Sequence, residues 1–246
     1  DSLQKAKESL LKATRTTIDR EQAARNMFIL GQMYASENKK DSARNAFKRI
    51  LDFKKAPYKF KIRAEIEIAK NISKDSSSVD VLKNLKKRIK DRDNRPYLDA
   101  LYYQVGVIEE GKDSISLAIE NYNKSLRVKS AQPQQKTYTY ESLGNLYFKN
   151  NEFQLASAYF DSVLKVSTDS TELRIRRAKR KFKNLASLIK FEETVRVNDS
   201  ILSIAAMSTE EQGAYFQAYI DVLKKKDEAA AQKKLNQLAF GNSFGT

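Results

Sequence analysis

Residues 137–168, TYTYESLGNLYFKNNEFQLASAYFDSVLKVST, decide the fold. They read as a helix, a polar turn and a second helix. Tyr140, Leu143, Gly144 and Tyr147 share one face of the first helix; Ala156, Phe160, Val163 and Leu164 share one face of the second. Asn150, Asn151 and Glu152 make the turn. Gly144 stands in mid-helix, where glycine costs about 1 kcal/mol relative to alanine. Its use is then the missing side chain. The second helix comes close, Ala156 is the small partner, and Phe160 fills the gap below the pair.

The same spacing recurs upstream. Gly106 has Ala118 and Tyr122 at the offsets of Ala156 and Phe160, and Gly31 has Ala43 and Phe47 there. Between them the step lands on Ala69, with Val81 and Leu85 at the offsets. The anchors 31, 69, 106 and 144 are spaced 38, 37 and 38 residues apart, in register. The pattern resembles the tetratricopeptide repeat (TPR), carried by Tyr140, Leu143, Gly144, Tyr147, Ala156 and Phe160. The closing proline is missing, and Thr168 stands in its place. The resemblance implies an all-α, TPR-like right-handed helical solenoid. The period exceeds the usual length of about 34 by about three or four residues. The surplus falls in loops around Ala56-Pro57, Asn94-Arg95-Pro96 and Gln132-Pro133-Gln134. All three prolines lie there, between units, as expected of a residue poorly tolerated inside helices.

This register divides the chain into three parts. Residues 1–18 read as the last helix of a preceding, truncated repeat, with Leu3, Ala6, Leu10 and Ala13 as its stripe. Residues 19–168 hold four repeats, opened by a capping box from Asp19 to Gln22. Asp41, Ser76-Ser77-Ser78 and Asp113 are expected caps of second helices. Residues 169–246 hold a long capping helix over 171–192, further short helices and a tail. The stripe of the long helix is Ile175, Ala178, Phe182, Leu185 and Ile189. Packed on the last repeat, it would cover the apolar end of the stack. A bend is expected near Val195–Asn198, then a short helix capped by Asp199, and a helix opened by a Ser208–Glu211 capping box. Residues 227–239 read as an exposed helix and Phe240–Thr246 as the tail.

Composition narrows the function. Seven glycines and three prolines in 246 residues fit helices with short turns. Without histidine or cysteine the chain has no Ser-His-Asp triad, no Cys-His pair, no disulfide and no imidazole or thiolate metal site. No paired acid and base, phosphate loop or nucleophile elbow is present, and adjacent carboxylates such as Glu109-Glu110 point apart on a helix. We expect no enzymatic activity, cofactor or small-molecule substrate. The chain opens at Asp1, so we expect a fragment or processed product whose targeting segment lies upstream. The net charge of +15 makes acidic partners plausible: protein, anionic lipid, envelope glycan or nucleic acid.

In a solenoid of this kind the first helix of each repeat lines the concave face. Counted from the anchors, partner-binding candidates are Arg25, Phe28, Arg63, Lys70, Tyr103, Tyr138, Glu141, Asn145 and Phe148, with Gln32, Ile66 and Val107 beside them. This mixed, aromatic surface suits a peptide or helix of a partner. A clamp for a C-terminal carboxylate is only half present: Asn145 is there, but Glu141 stands one turn before it, where a cation is needed. Gly31, Ala43, Phe47, Gly106, Ala118, Tyr122, Gly144, Ala156 and Phe160 are structural. The densest basic patch is Arg174, Arg176, Arg177, Arg180 and Lys181, joined by Lys179 and Lys183. A second basic run is Lys83, Lys86, Lys87, Arg88, Lys90 and Arg92. The aromatics lie at core positions rather than interleaved as stacking platforms, which disfavours nucleic acid.

The segment after the repeats, RVNDSILSIAAMSTEEQGAYFQAYID, following a long basic helix, resembles the PorW/SprE family. The resemblance rests on Asn198-Asp199-Ser200-Ile201, Ala205-Ala206-Met207 and Ser208 with acidic residues after it, and covers 97–225 best. Gln212-Gly213 departs from the pattern. These are TPR lipoproteins of the type IX secretion and gliding-motility machinery in Bacteroidetes. The resemblance implies a scaffold at the periplasmic face of the outer membrane, held by a lipid anchor upstream of this chain. Its partners would be proteins of the secretion machinery.

Overall fold

A computed structural model describes residues 2–14, 19–71 and 77–242. It forms two compact units, 1–186 and 187–246. The described chain is all helical: α1 (Ser2–Ala13), α2 (Arg20–Ser36), α3 (Lys40–Asp52), α4 (Tyr58–Lys70), α5 (Ser77–Lys90), a 3-10 helix (Arg92–Tyr97), α6 (Leu98–Gly111), α7 (Ile115–Arg127), α8 (Pro133–Lys149), α9 (Phe153–Val166), α10 (Leu173–Ala205) and α11 (Thr209–Asn242). In the first unit α2 pairs with α3, α6 with α7 and α8 with α9; α4 packs on α2 and α3, α5 on α6, and α7 on α8. This is the TPR-like solenoid expected.

The glycine anchors work through rings. A methyl group built on Gly31 would meet the Phe47 ring at 2.5 Å, on Gly106 the Tyr122 ring at 2.6 Å, and on Gly144 the Phe160 ring at 3.0 Å. The space that glycine leaves is therefore filled by the aromatic, while Ala43, Ala118 and Ala156 are buried as small neighbours. That corrects the expectation that Ala156 is what the glycine accommodates. The degenerate repeat supplies the contrast. With Ala69 for glycine and Leu85 for the ring, α4 and α5 do not approach as the other pairs do, and they meet through side chains that also pack against Leu101 and Val105.

A periodic turn joins the close pairs. Asn38, Asp113 and Asn151 each lie seven residues after an anchor glycine, and each has left-handed backbone, φ 58–61°. The N–H groups of Lys39, Ser114 and Glu152 then reach back to the carbonyls of Tyr34, Glu109 and Tyr147 at 2.9 Å. This is a Schellman-type closure. Asp113 is thus a turn residue and not a cap, and the next residue, Ser114, makes no side-chain cap bond. Asp41 likewise lies inside the first turn of α3, whose N-cap is Lys39. Asp19 does cap α2, accepting from the N–H groups of Glu21 and Gln22, but Gln22 turns to Asn26 instead of closing the box. Ser76 and the side chains of Ser77 and Ser78 lie outside the described residues.

The longer loops hold polar ties. Asn94, fully buried in the 3-10 helix, accepts from the Tyr58 hydroxyl at 2.7 Å and donates to the Arg88 carbonyl at 2.9 Å. Buried Asp99 accepts from the Gln132 N–H at 3.1 Å, and its own carbonyl accepts from Ser125 Oγ at 2.7 Å. The surplus residues of the long period are thus fastened rather than loose.

Helix α1 turns a different face to the stack from the one expected. Leu3 and Ala6 are exposed, while Leu10 and Ala13 of the expected stripe are half-buried. Lys7 is buried, its ammonium 2.6 Å from Glu37 and over the Tyr34 ring. At the other end, α10 runs unbroken from Leu173 to Ala205, so Asp199 lies inside it and caps nothing. The second unit therefore holds the C-terminal part of α10 and all of α11 in place of further short helices, joined by Ala206–Ser208, and α11 extends through Asn242 where the tail was expected. Ser243–Thr246 lie outside the described residues.

Candidate functional site

The first-helix faces of the Gly106 and Gly144 repeats enclose a groove of about 610 Å³. From α6 come Tyr103, Val107 and Glu110, and from α8 come Ser142, Leu146 and Lys149. The register explains this: residues three before, one after and four after Gly106 lie on one side of α6, beside the turn of helix that carries Ser142. Val107, in this groove, is 37 % exposed, and Phe148, which lines the neighbouring hollow, is 44 % exposed. A second hollow, of about 340 Å³, continues from Glu110, Ser142 and Lys149 to Asn145, Phe148 and Lys181.

Its polar groups are ordered. The Tyr103 hydroxyl is 3.3 Å from Ser142 Oγ. Glu110 accepts from the Tyr122 hydroxyl at 2.7 Å and from Lys149 at 3.3 Å. Burial pushes the Tyr122 phenol far above its ordinary range, and the neighbouring carboxylate of Glu110 adds to it. Burial also raises Tyr103, against its bond to Ser142. Both phenols thus stay neutral, and Tyr122 donates to Glu110. The groove offers apolar walls, two carboxylates (Glu110 and Asp113), one lysine and a few hydroxyls, a lining suited to a peptide segment.

The other candidate residues scatter. Arg25 and Arg63 are exposed, and Lys70 is exposed and paired with Glu67 at 2.7 Å. Phe28 packs into the core, 5.4 Å from Phe47 and 6.3 Å from Phe60 between ring centroids. Ile66 is buried with Val105. Ile66 is thus a core residue, and Phe28 is half-buried against the core. Tyr138, Glu141 and Asn145 are already occupied. Arg174 stacks on the Tyr138 ring at 4.0 Å and donates to Glu141 at 2.8 Å and Thr137 at 2.9 Å. Lys181 donates to Asn145 at 2.5 Å and lies over the Phe160 ring. Burial alone would lower the Arg174 guanidinium, but its bonds to Glu141 and Glu172 outweigh that and raise it.

The basic patch therefore divides. Arg174 and Lys181 fasten α10, whose Ile175, Ala178 and Leu185 are buried. Arg176, Arg177, Lys179, Arg180 and Lys183 are exposed. On α5, Lys86 reaches buried Glu109 at 3.1 Å and Arg88 grips Glu65 through two bonds. Glu109 and Glu110 do point apart, one to Lys86 and the other to Tyr122. The reading of the sequence missed Glu110, Ser142 and Lys149 as groove residues. Glu110 sits four after its anchor and Lys149 five after its own, so the register carried that signal.

Residues 137–170 match the family model described as Tetratricopeptide repeat. A TPR unit is thus present, in the stretch that opened the reading. No curated protein matches the chain. Among solved structures, that of MamA aligns at 19 % identity, covering 65 % of this chain and 84 % of that one, with a TM-score of 0.43. Among the described residues no helix is long and apolar enough to cross a membrane.

Proposed function

We propose that the chain is a protein–protein interaction scaffold whose groove between α6 and α8 takes a segment of a partner protein. The groove itself carries the reading: ordered hydroxyls and a paired carboxylate beside exposed Val107 and Phe148. The TPR match is consistent with it. The proposal assigns no catalysis to the chain. Its finer form is a component linking parts of the type IX secretion machinery at the periplasmic side of the outer membrane, held there by an upstream lipid anchor. What supports that form is the likeness of residues 97–225 to the PorW/SprE family.

Photo-crosslinking residues at Val107 and Phe148, in cells, test it against a control at exposed Leu117 on α7. Envelope secretion proteins captured from the groove positions and not from Leu117 support the finer form. Equal capture from all three positions sinks the groove. A second reading, an anionic polymer on α10, rests on Arg176, Arg177, Lys179, Arg180 and Lys183, which form no ion pair among the described residues. Binding to a phosphate polymer falls steeply with salt, whereas capture through the groove persists.

A further inference from the structure

The second unit leaves an apolar face bare. On α10, Leu188, Phe191, Val195 and Leu202 follow at spacings of three, four and seven, one stripe at the helical period. They are 38–68 % exposed. On α11, Tyr219 and Leu223, one turn apart, are 56 % and 40 % exposed. An apolar stripe of this extent marks a surface that another element covers.

Two observations indicate which element. The first is register and charge. Counted outward from Met207, Val195 and Tyr219 each lie twelve residues away, and Phe191 and Leu223 each lie sixteen. An α11 laid antiparallel along α10 brings these residues together. In that register Glu192-Glu193 lie two to five residues from the level of the Lys224-Lys225-Lys226 run, while Glu193 stands level with Asp221 and Lys190 with Lys224. The second is the elbow. The Ser208 N–H donates to Glu211 at 2.8 Å, and the Glu211 N–H donates to Ser208 Oγ at 3.3 Å. The Gln212 amide donates to the carbonyls of Ile204 at 3.0 Å and Met207 at 3.2 Å. These bonds satisfy the end of α10 and the start of α11 in an arrangement that leaves the stripe uncovered.

We propose that a second copy of the chain covers the stripe: α11 of each copy lies antiparallel along α10 of the other, exchanged about the 206–208 elbow. Such an exchange is a low-cost route to a two-fold dimer. It goes beyond the scaffold reading, because it concerns neither the groove nor the basic stripe.

The chain has no cysteine, so introduced thiols report alone. Light scattering of the parent chain should give twice the monomer mass. A mixture of a Val195→Cys chain and a Tyr219→Cys chain, refolded together and oxidised, should give linked pairs joining 195 to 219, well above those from either chain by itself. Phe191→Asp with Leu202→Asp should abolish the dimer while the helical circular dichroism signal is kept. A chain carrying both thiols that closes the 195–219 bond within one monomer overturns the proposal. So does a parent chain that remains monomeric at every concentration tested.

Discussion

Replacing the anchor glycines one at a time by alanine separates two opposed effects. Alanine gains about 1 kcal/mol of helix propensity at an interior position. Against that stands overpacking, which costs about 1–3 kcal/mol in a well-packed core. At Gly31 the new methyl would stand 2.5 Å from Phe47, and at Gly106 2.6 Å from Tyr122. Carbon contacts settle near 3.5 Å or beyond, so about one ångström must be found. Phe47 and Tyr122 are fully buried and cannot swing to solvent. Phe47 is also held by Phe28. The cost is then at the upper end, and Gly31→Ala and Gly106→Ala should each lose about 2 kcal/mol net. At Gly144 the gap is 3.0 Å, the ring need give only a little, and the two effects cancel to within about 1 kcal/mol. At Gly213 nothing lies within 4 Å, so alanine should gain about 1 kcal/mol in α11. Urea unfolding followed by circular dichroism gives the order for the solenoid, and amide exchange localises each change, since a repeat array can open from one end. A Phe47→Leu background should remove the Gly31→Ala penalty, a coupling read by a double-mutant cycle. A Gly31→Ala chain as stable as the parent would refute the reasoning, because the ring would not then need the glycine.

Two further predictions concern turns and charge. Asp113→Gly should raise stability by up to about 1 kcal/mol, since glycine adopts φ 58° without steric cost. Were Asp113 a cap, the same change would lower the melting temperature. Glu37 has its carboxyl held below the ordinary value of 4.5, first by the hydrogen bond from Lys7 and then by Lys39. A group whose pKa falls on folding stabilises the fold fully above its unfolded pKa, and that contribution is lost as pH falls through the folded value. Amide exchange in α1 should therefore speed up below pH 4.5, and Glu37→Gln should flatten that dependence.

The repeats were legible because their signal is local and periodic. A glycine, an alanine twelve on and an aromatic sixteen on report one helix pair, and Gly31, Gly106 and Gly144 each sit against the ring so indicated. Turn chemistry was less legible. Asp41 and Asp113 have the composition of caps, yet one lies within a helix and the other in a left-handed turn. Only the alignment of Asn38, Asp113 and Asn151 at one repeat position distinguishes the second case. The face of α1 was misread because hydrophobicity alone placed it. Lys7, a charged residue, is the buried one, held by Glu37 from the next helix. In the second unit, Asp199 suggested a break, and its neighbours Val195, Val197, Asn198 and Ser200 are weak helix formers too, yet α10 runs through them.

The candidate site shows where a periodic register stops being informative. It places Tyr138, Glu141 and Asn145 together on α8, where Arg174 and Lys181 meet them, but a face is not yet a free surface. Glu141 is the telling residue. Its carboxylate stands where a carboxylate clamp needs a cation, which in the sequence alone counts against binding. In the structure that carboxylate is the counter-ion of Arg174, whose guanidinium also stacks on Tyr138. A misplaced charge on one face is thus a sign of a neighbour bearing the opposite charge, and the dense basic run of α10 supplies it. In the scaffold reading we propose, this contact moves the partner's place at the Gly144 repeat toward Glu110, Ser142 and Lys149. There the carboxylate is paired across repeats and the apolar rim of Val107 and Phe148 stays open.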